Sequence, residues 1–402
     1  MGLAQTDNES EIRMEKPLRV AMIGNGFMGA AHSQAWRVAP KFFDLPAPVE
    51  MAVMVGRNAA KNEHLASKWG WSQAAIDYRE VISRDDIDIV DIVTPGDTHA
   101  EIAIAALRAG KHVLCEKPLA NTADEAREMA EAAQAASGSG VFGMVGFTYR
   151  RVPAATFARD LVREGFVGTV RHVRAEYLQD WLSDPETPLT WRLQKDKAGS
   201  GSLGDIGAHA IDLAQFITGE SLLGVSGTLE TFVAERPLLG ERVGLGGTAS
   251  AQRGTVTVDD AAVFTARLSG GGLGSFAATR FATGRKNALR IEVSGDRGAI
   301  SFDLEHMNRL GVFDATAPGD RQGFTDVMVT EPVHPYVDAW WPAGHMLGYE
   351  HAFTHQVRDF VHAIVAGEQP SPSFSDGWQV QRVLDAVERS ANSGSAWTST
   401  TP

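Results

Sequence analysis

The 402 residues carry a formal net charge of −13, with 44% hydrophobic and 22% charged side chains. These are ordinary values for a soluble globular chain, and the length points to two domains. The acidic balance, free of any Lys/Arg-rich stripe, speaks against nucleic acid, and no apolar stretch reaches membrane-spanning length.

Residues 1–16 are polar, lack an apolar signal core and read as a disordered leader. Leu18 to Ile23 is a short β-rich run, followed by the glycine loop Gly24-Asn25-Gly26-Phe27-Met28-Gly29. The pattern then predicts a helix from Met28 to Val38, ending near Pro40, and a strand from Val49 to Val55. A helix over 59–69, a strand over 87–93, a helix over 101–108 stopped at Gly110 and a strand over 113–115 follow. Thr122-Ala123-Asp124-Glu125 is a capping box that opens a helix to about Ala136, and Val141 to Phe147 is another strand. Strands alternating with helices predict a parallel, doubly wound Rossmann sheet over 17–147.

Beyond Pro153 the rhythm changes. Helices are expected over 154–164, 203–218, 349–366 and 377–392, and strands over 169–177, 256–268, 273–279, 289–294 and 299–303. Strands that succeed one another without helices predict a large open, mostly antiparallel sheet, so 148–402 reads as an α+β substrate-binding and oligomerisation domain. An open sheet needs cover, and a homodimer or homotetramer is expected. The one cysteine, Cys115, rules out an internal disulfide and suits a reducing cytoplasm.

Gly24, Gly26 and Gly29 fit G-x-G-x-x-G between a strand and a helix, the context in which that spacing carries meaning. The first glycine allows the tight turn, the second lets a pyrophosphate approach the backbone, and the third lets the helix pack closely. The helix N-terminus then offers free N–H groups to the phosphates. NAD enzymes often carry an acid at the end of the second strand. This chain has Gly56-Arg57-Asn58 there, and Arg57 suits a ribose 2′-phosphate, so the expected cofactor is NADP, with NAD also open. A solvated surface arginine is the other reading of Arg57.

Asp205, His209 and Asp212, spaced i, i+4, i+7, fall on one helix face. A metal site and a solvated face are alternatives; no metal is expected.

Four blocks together resemble the glucose–fructose oxidoreductase / inositol dehydrogenase / rhizopine-catabolism family. They are the glycine loop, Thr94-Pro95-Gly96-Asp97-Thr98-His99, Cys115-Glu116-Lys117-Pro118 and Gly204-Asp205-Ile206-Gly207-Ala208-His209. Tyr149-Arg150-Arg151-Val152-Pro153 extends the resemblance, and Tyr177-Leu178-Gln179-Asp180-Trp181, Trp191-Arg192-Leu193 and His334-Pro335-Tyr336 look like its levoglucosan dehydrogenase-like branch. The chain departs in having Gly96 where many members have Asn, which leaves that contact to backbone or water.

The resemblance implies an NAD(P)-dependent oxidoreductase acting on a ring hydroxyl of a sugar, anhydrosugar or cyclitol. Lys117, Asp205 and His209 become the catalytic set. His209 is assigned as proton acceptor and Lys117 as its partner, the reverse being open. Arg57, Thr94, Pro95, His99, Glu116 and Lys117 join the glycine loop as expected cofactor contacts. His99 could equally cap and pack. Arg150, Trp181, Arg192, Asp212 and Tyr336 join the catalytic set as expected substrate contacts. Aromatic rings on loops suit the apolar faces of sugars, whereas Trp340 and Trp341 also fit a core or subunit interface. An NAD-dependent glycosidase and a non-catalytic sugar sensor on the same scaffold are the alternatives.

Overall fold

The computed structural model describes residues 13–243 and 246–401. Most of the expected leader lies outside the described residues, but Met14 N–H donates to Pro46 O at 2.8 Å.

Six strands form the first sheet: β1 (Leu18–Ile23), β2 (Val49–Val55), β3 (Gln73–Ala75), β4 (Ile89–Ile92), β5 (His112–Cys115) and β6 (Gly143–Val145). All pair in parallel, in the order β3-β2-β1-β4-β5-β6. Helices α1 (Phe27–Phe42), α2 (Ala59–Trp69), α3 (Tyr78–Ile82), α4 (His99–Arg108) and α5 (Ala123–Ser137) connect them. Every residue of β4 is buried and so is β1 apart from Arg19, as expected of strands covered on both faces. The strand order reverses beside β1, and the ligand crevice of such a sheet opens there, at the strands' C-terminal ends.

The chain then forms α6 (Pro153–Arg163), β7 (Val170–Leu178), α7 (Lys195–Ala198) and α8 (Ala208–Thr218). Ten further strands are β8 (Leu222–Glu230), β9 (Glu235–Val243), β10 (Gly246–Thr255), β11 (Ala261–Leu268), β12 (Leu273–Thr279), β13 (Ala288–Gly295), β14 (Gly298–Asp303), β15 (Arg309–Asp314), β16 (Thr325–Met328) and β17 (Thr398–Ser399). Nine strands make one sheet, β16-β15-β14-β13-β7-β12-β11-β8-β17, antiparallel at every pair except β7–β12. One face packs on α8 and on α10 (Phe374–Asn392). The other carries Val263 and Leu273, 61% and 51% exposed.

Helix α9 (Tyr349–Ala366) returns to the first sheet and packs on α1. Its Phe353, Val357, Phe360 and Val361 share a core with Val20, Met22 and Trp36. Burial of Trp36 or Phe360 alone is worth about 2–3 kcal/mol, so the first sheet depends on a helix from the far end of the chain.

Several expectations shift in detail. Helix α1 runs past Pro40 to Phe42, because the missing donor falls in its last turn and Phe43 N–H still reaches Ala39 O. The strand expected over 256–268 begins only at Ala261, since Asp259 and Asp260 turn their carboxylates onto backbone N–H groups of other segments. The β9–β10 hairpin and strands β8, β15 and β16 lack the strong alternation that would have announced them.

One buried group ties the first sheet's working ends together. His32 on α1 places Nδ1 at 2.9 Å from both oxygens of Asp91 in β4, and Nε2 at 3.0 Å from Glu116 Oε1 just beyond β5. Trp36 Nε1 donates to Asp91 Oδ2 at 2.7 Å. Glu116 Oε2 accepts from the Lys117 N–H at 3.2 Å. Burial opposes a charge on His32, but the two carboxylates win and raise its pKa to about 10. A raised value stabilises the fold fully below 6.5, and that contribution is lost as pH climbs through about 10. Unfolding free energy is expected to decline between these limits by about 1.4 kcal/mol per pH unit at most. His32→Gln should lower Tm at pH 7 and flatten the decline. Equal slopes in both proteins, read by chemical denaturation, would remove His32 as its source.

Candidate active site

The glycine loop leaves β1 with Gly24 at φ +114°, where a Cβ would lie 2.8 Å from Val93 O. A Cβ on Gly29 would lie 2.9 Å from Gly24 O, so the helix packs directly on the turn. At Gly26 a Cβ would meet nothing within 4 Å, and this open space lies above the start of α1. Gly26 supplies no side-chain cap and the first turn holds no acid, so the helix's leading N–H groups and its positive end are free. These features fit a dinucleotide pyrophosphate. Met28 packs against the core, and Phe27 is exposed beside the loop. Asn25 turns instead to the end of β2, donating to Asn62 Oδ1 at 3.1 Å. Its amide lies 2.2 Å from where a Gly56 Cβ would be, so a side chain at that position would have to displace Asn25. Arg57, the next residue, is exposed.

After β4, Thr94 and Pro95 open a turn in which Thr98 Oγ1 donates to Thr94 Oγ1 at 2.7 Å. The buried His99 ring faces two backbone carbonyls, Thr94 O at 2.9 Å and Pro118 O at 3.0 Å. It therefore stitches this loop to the turn after Lys117, which is the packing alternative for that residue. The space at Gly96 is not empty. A Cβ there would lie 2.5 Å from Asn121 Oδ1, so the Asn121 amide fills the place of the missing side chain.

Glu116 is spent on His32 and on the backbone of Lys117, so it supports the site from beneath. Cys115 is fully buried, and burial pushes its thiol well above the ordinary range, which makes it inert as a nucleophile. Lys117 precedes a cis peptide bond to Pro118. Its Nζ donates to Asp205 O at 2.7 Å and lies 3.5 Å from Asp205 Oδ1.

Asp205 does not sit on a regular α-helix. Leu203–Gly207 is a π-turn that leads into α8, an irregularity frequent at functional sites. Asp259 anchors its start. The carboxylate accepts from Gly201 N at 2.7 Å, Ser202 Oγ at 2.6 Å and Leu203 N at 2.8 Å. Any Cβ at Gly201 would collide with Asp259 O at 1.8 Å.

Around Asp205, Lys117 faces Oδ1 and Arg280 NH1 lies 3.5 Å from Oδ2. Burial alone would raise the Asp205 pKa, but Lys117, Arg280 and Arg192 together pull it down to about 2. His209 is buried against Tyr149, with ring centroids 4.6 Å apart. Burial first, then the Lys117 charge, drives its pKa well below 6.5, so the ring is neutral at neutral pH.

A hydroxyl chain runs behind His209. Asn287 Oδ1 accepts from Tyr177 OH at 2.7 Å and from Gln179 Nε2 at 2.8 Å. Tyr177 has thus committed its one proton, so Tyr149 is the donor in the 3.0 Å contact between the two hydroxyls.

Among the other expected contacts, Arg150, Asp212 and Tyr336 engage partners of their own. Arg150 and Asp212 form a buried bidentate pair with contacts of 2.9 and 2.5 Å, and Arg150 NH1 donates to Ser371 Oγ at 3.2 Å. The third position of the expected helix face is therefore turned to Arg150. Tyr336 stacks on His355 of α9 at 4.3 Å and donates to Asp359 Oδ2 at 2.8 Å, which fixes its loop to that helix. Trp340 and Trp341 pack on Phe42, and Trp340 Nε1 donates to His355 Nε2 at 2.7 Å. These rings cover the junction of α1 and α9. Trp181 is 37% exposed and donates to Gln179 Oε1 at 2.9 Å. Arg192 lies over the Trp191 ring at 4.5 Å. Tyr149, Tyr177 and Gln179 sat unremarked within quoted motifs, whereas Asn287 and Arg280 carry no signal of their own. Among the described residues no cluster of three metal-ligating side chains is found, and no helix is long and apolar enough to cross a membrane.

Comparison with known proteins agrees with this geometry. Residues 18–144 match the oxidoreductase family with an NAD-binding Rossmann fold, and residues 156–301 match the GFO/IDH/MocA C-terminal domain. The chain is 42% identical over 379 residues to levoglucosan dehydrogenase of Pseudarthrobacter phenanthrenivorans, covering 93% of this chain and 96% of that one. The crystal structure of an oxidoreductase domain protein from Kribbella flavida is 61% identical, with a TM-score of 0.93 over 96% of this chain and 100% of that one. A levoglucosan dehydrogenase complex with NADH and levoglucosan is 41% identical, with a TM-score of 0.90 over 96% and 100%. The chain therefore belongs to the GFO/IDH/MocA family of oxidoreductases and carries its NAD-binding Rossmann fold.

Proposed function

We propose that this protein is a dehydrogenase that oxidises a ring hydroxyl of a sugar, with an anhydrosugar of the levoglucosan type as the leading substrate. The observation that carries the reading is the meeting of Lys117 and Asp205 beside a neutral His209 at the sheet edge. The levoglucosan dehydrogenase complex supports the substrate class.

The nicotinamide ring, when bound, supplies the hydride acceptor. His209, neutral and buried, takes the hydroxyl proton at a ring nitrogen. Lys117 holds one N–H on Asp205 O and has two left to stabilise negative charge on the substrate oxygen. Asp205 stays ionised and accepts from a neighbouring substrate hydroxyl. Trp181 and Trp191 offer flat apolar faces to the ring. Arg150, Asp212 and Tyr336 act through packing. Both NAD and NADP are accepted: a relative's complex holds NADH, while Arg57 beside acid-free Gly56 attracts a 2′-phosphate. The enzyme acts in the cytoplasm, and the outer face of the large sheet joins copies of the chain.

A panel of pyranoses, anhydrosugars and inositols with each cofactor should show stoichiometric release of reduced nicotinamide. Turnover without that release would favour a glycosidase, and tight cofactor binding with no turnover a sensor. Lys117→Ala and His209→Ala should each lower kcat/KM by about 10²- to 10⁴-fold. Because His209 is neutral well below 6.5, the parent's kcat/KM should show no acid limb near that pH. Full activity in both variants, or a limb at 6.5, would sink these roles.

Arg57→Ala should weaken NADP by roughly 10- to 100-fold and spare NAD. Equal losses would refute the phosphate contact. Sedimentation should give a dimer or tetramer that Val263→Glu shifts toward the monomer; an unchanged mass would place the interface elsewhere.

A further inference from the structure

We propose that Arg280 is a positioning residue for Asp205: from behind the site it fixes the carboxylate in orientation and charge, and so leaves Lys117 free for the substrate. Arg280 directly follows β12, and its side chain is fully buried. The main chain is pinned on both sides, with Arg280 N–H donating to Asp260 O at 3.3 Å and Arg280 O accepting from Leu182 N–H at 3.2 Å. The guanidinium lies 5.5 Å from the Trp181 ring centre and reaches the Asp259 backbone carbonyl at 3.4 Å.

Burying an arginine is costly unless its charge is met. The acids nearest it by sequence are already engaged. Asp259 holds Gly201, Ser202 and Leu203, and Asp260 holds the N–H groups of Phe232 and Val233 through Oδ2, while its Oδ1 feels the Arg236 and Arg280 charges from beyond ion-pair distance. Arg236, the neighbouring buried cation, is occupied by the carbonyls of Leu182 and Asp184. Among the described residues Asp205 is the carboxylate within ion-pair reach of Arg280, at 3.5 Å. Arg280 Nε and NH1 are buried and make no hydrogen bond within the protein, so the charge of Asp205 is what meets them.

The arrangement is symmetrical about the carboxylate. Lys117 faces Oδ1 and Arg280 faces Oδ2, each at 3.5 Å. Arg192 and His209 complete the charged and titratable surroundings of Asp205. With a cation on each oxygen the carboxylate plane is set. Without Arg280 the carboxylate is left to Lys117 and the weaker pull of Arg192, the Lys117 ion pair tightens, and Nζ is drawn away from the alcohol. The carboxyl would also lose one of the charges that offset its burial.

The role of Asp205 toward substrate rests on the dehydrogenase reading, but its ionisation can be read without turnover. Infrared difference spectroscopy of the holoenzyme, with Asp205→Asn as the blank, follows the protonated carboxyl band against pH. In Arg280→Gln its midpoint should rise by about 1 to 3 pH units. In the same variant kcat for the best alcohol should fall roughly 10- to 100-fold, with the dinucleotide KM unchanged. Arg280→Lys should restore the midpoint and part of kcat. A folded Arg280→Gln protein whose midpoint does not move overturns the proposal. Should Arg280→Gln not fold, Arg280→Lys decides: parental kcat and sugar KM would overturn the role, whereas a lower kcat at unchanged dinucleotide KM supports it. A parent enzyme inert toward every alcohol would sink the dehydrogenase reading and leave the infrared midpoint as the test of Arg280.

Discussion

The charged ring of His32, held between Asp91 and Glu116 with almost no exposure, is the contact on which the working edge of this protein depends. It joins three elements whose ends carry the site. α1 begins with the glycine loop, β4 runs out into the Thr94 turn, and β5 runs out into Lys117. Removing one member of such a buried cluster leaves an uncompensated charge and costs about 3–5 kcal/mol. The distance between the glycine loop and Lys117 is thus set by electrostatics inside the sheet. Loop conformation alone does not set it.

The second domain answers with the same device. Asp259, in the break before β11, binds the backbone at Gly201 and Leu203 and so anchors the π-turn that presents Asp205. Asp205 in turn stands between a lysine from the first sheet and an arginine from the second. The domains therefore meet through a carboxylate with a cation from each side. His209, one turn on, is kept neutral by burial and by the same Lys117 charge that keeps Asp205 ionised. One lysine pushes two neighbours in opposite directions, toward an ionised carboxylate and an uncharged ring.

Local patterns carried much of this into view. The first-sheet strands and helices were read within a residue or two where glycines, caps and apolar runs coincide, as in Leu18–Ile23 and Ala59–Trp69. Lys117, Asp205 and His209 stood out through a family resemblance. What stayed hidden was non-local. Arg280 is one arginine after a strand, and only the fold shows which acid it serves. Asn121 filling the space at Gly96 joins positions 25 residues apart. Arg150 and Asp212 looked like ligands because a buried ion pair and a binding pair use the same residue types. Tyr336 looked like a sugar contact because aromatic loops share one composition whether they face a ligand or a helix.

Helix α9 has a further consequence. It is drawn from the last quarter of the chain, yet it lies along α1 and buries Phe360 against the first sheet's core. The two halves are therefore not modules in the engineer's sense. A chimera that grafts this Rossmann half onto a foreign partner must bring α9 along, or leave Trp36 and its neighbours bare. Helix α1, which opens on the glycine loop, is braced by α9, so the ribosome must translate past Ala366 before the first domain can be complete.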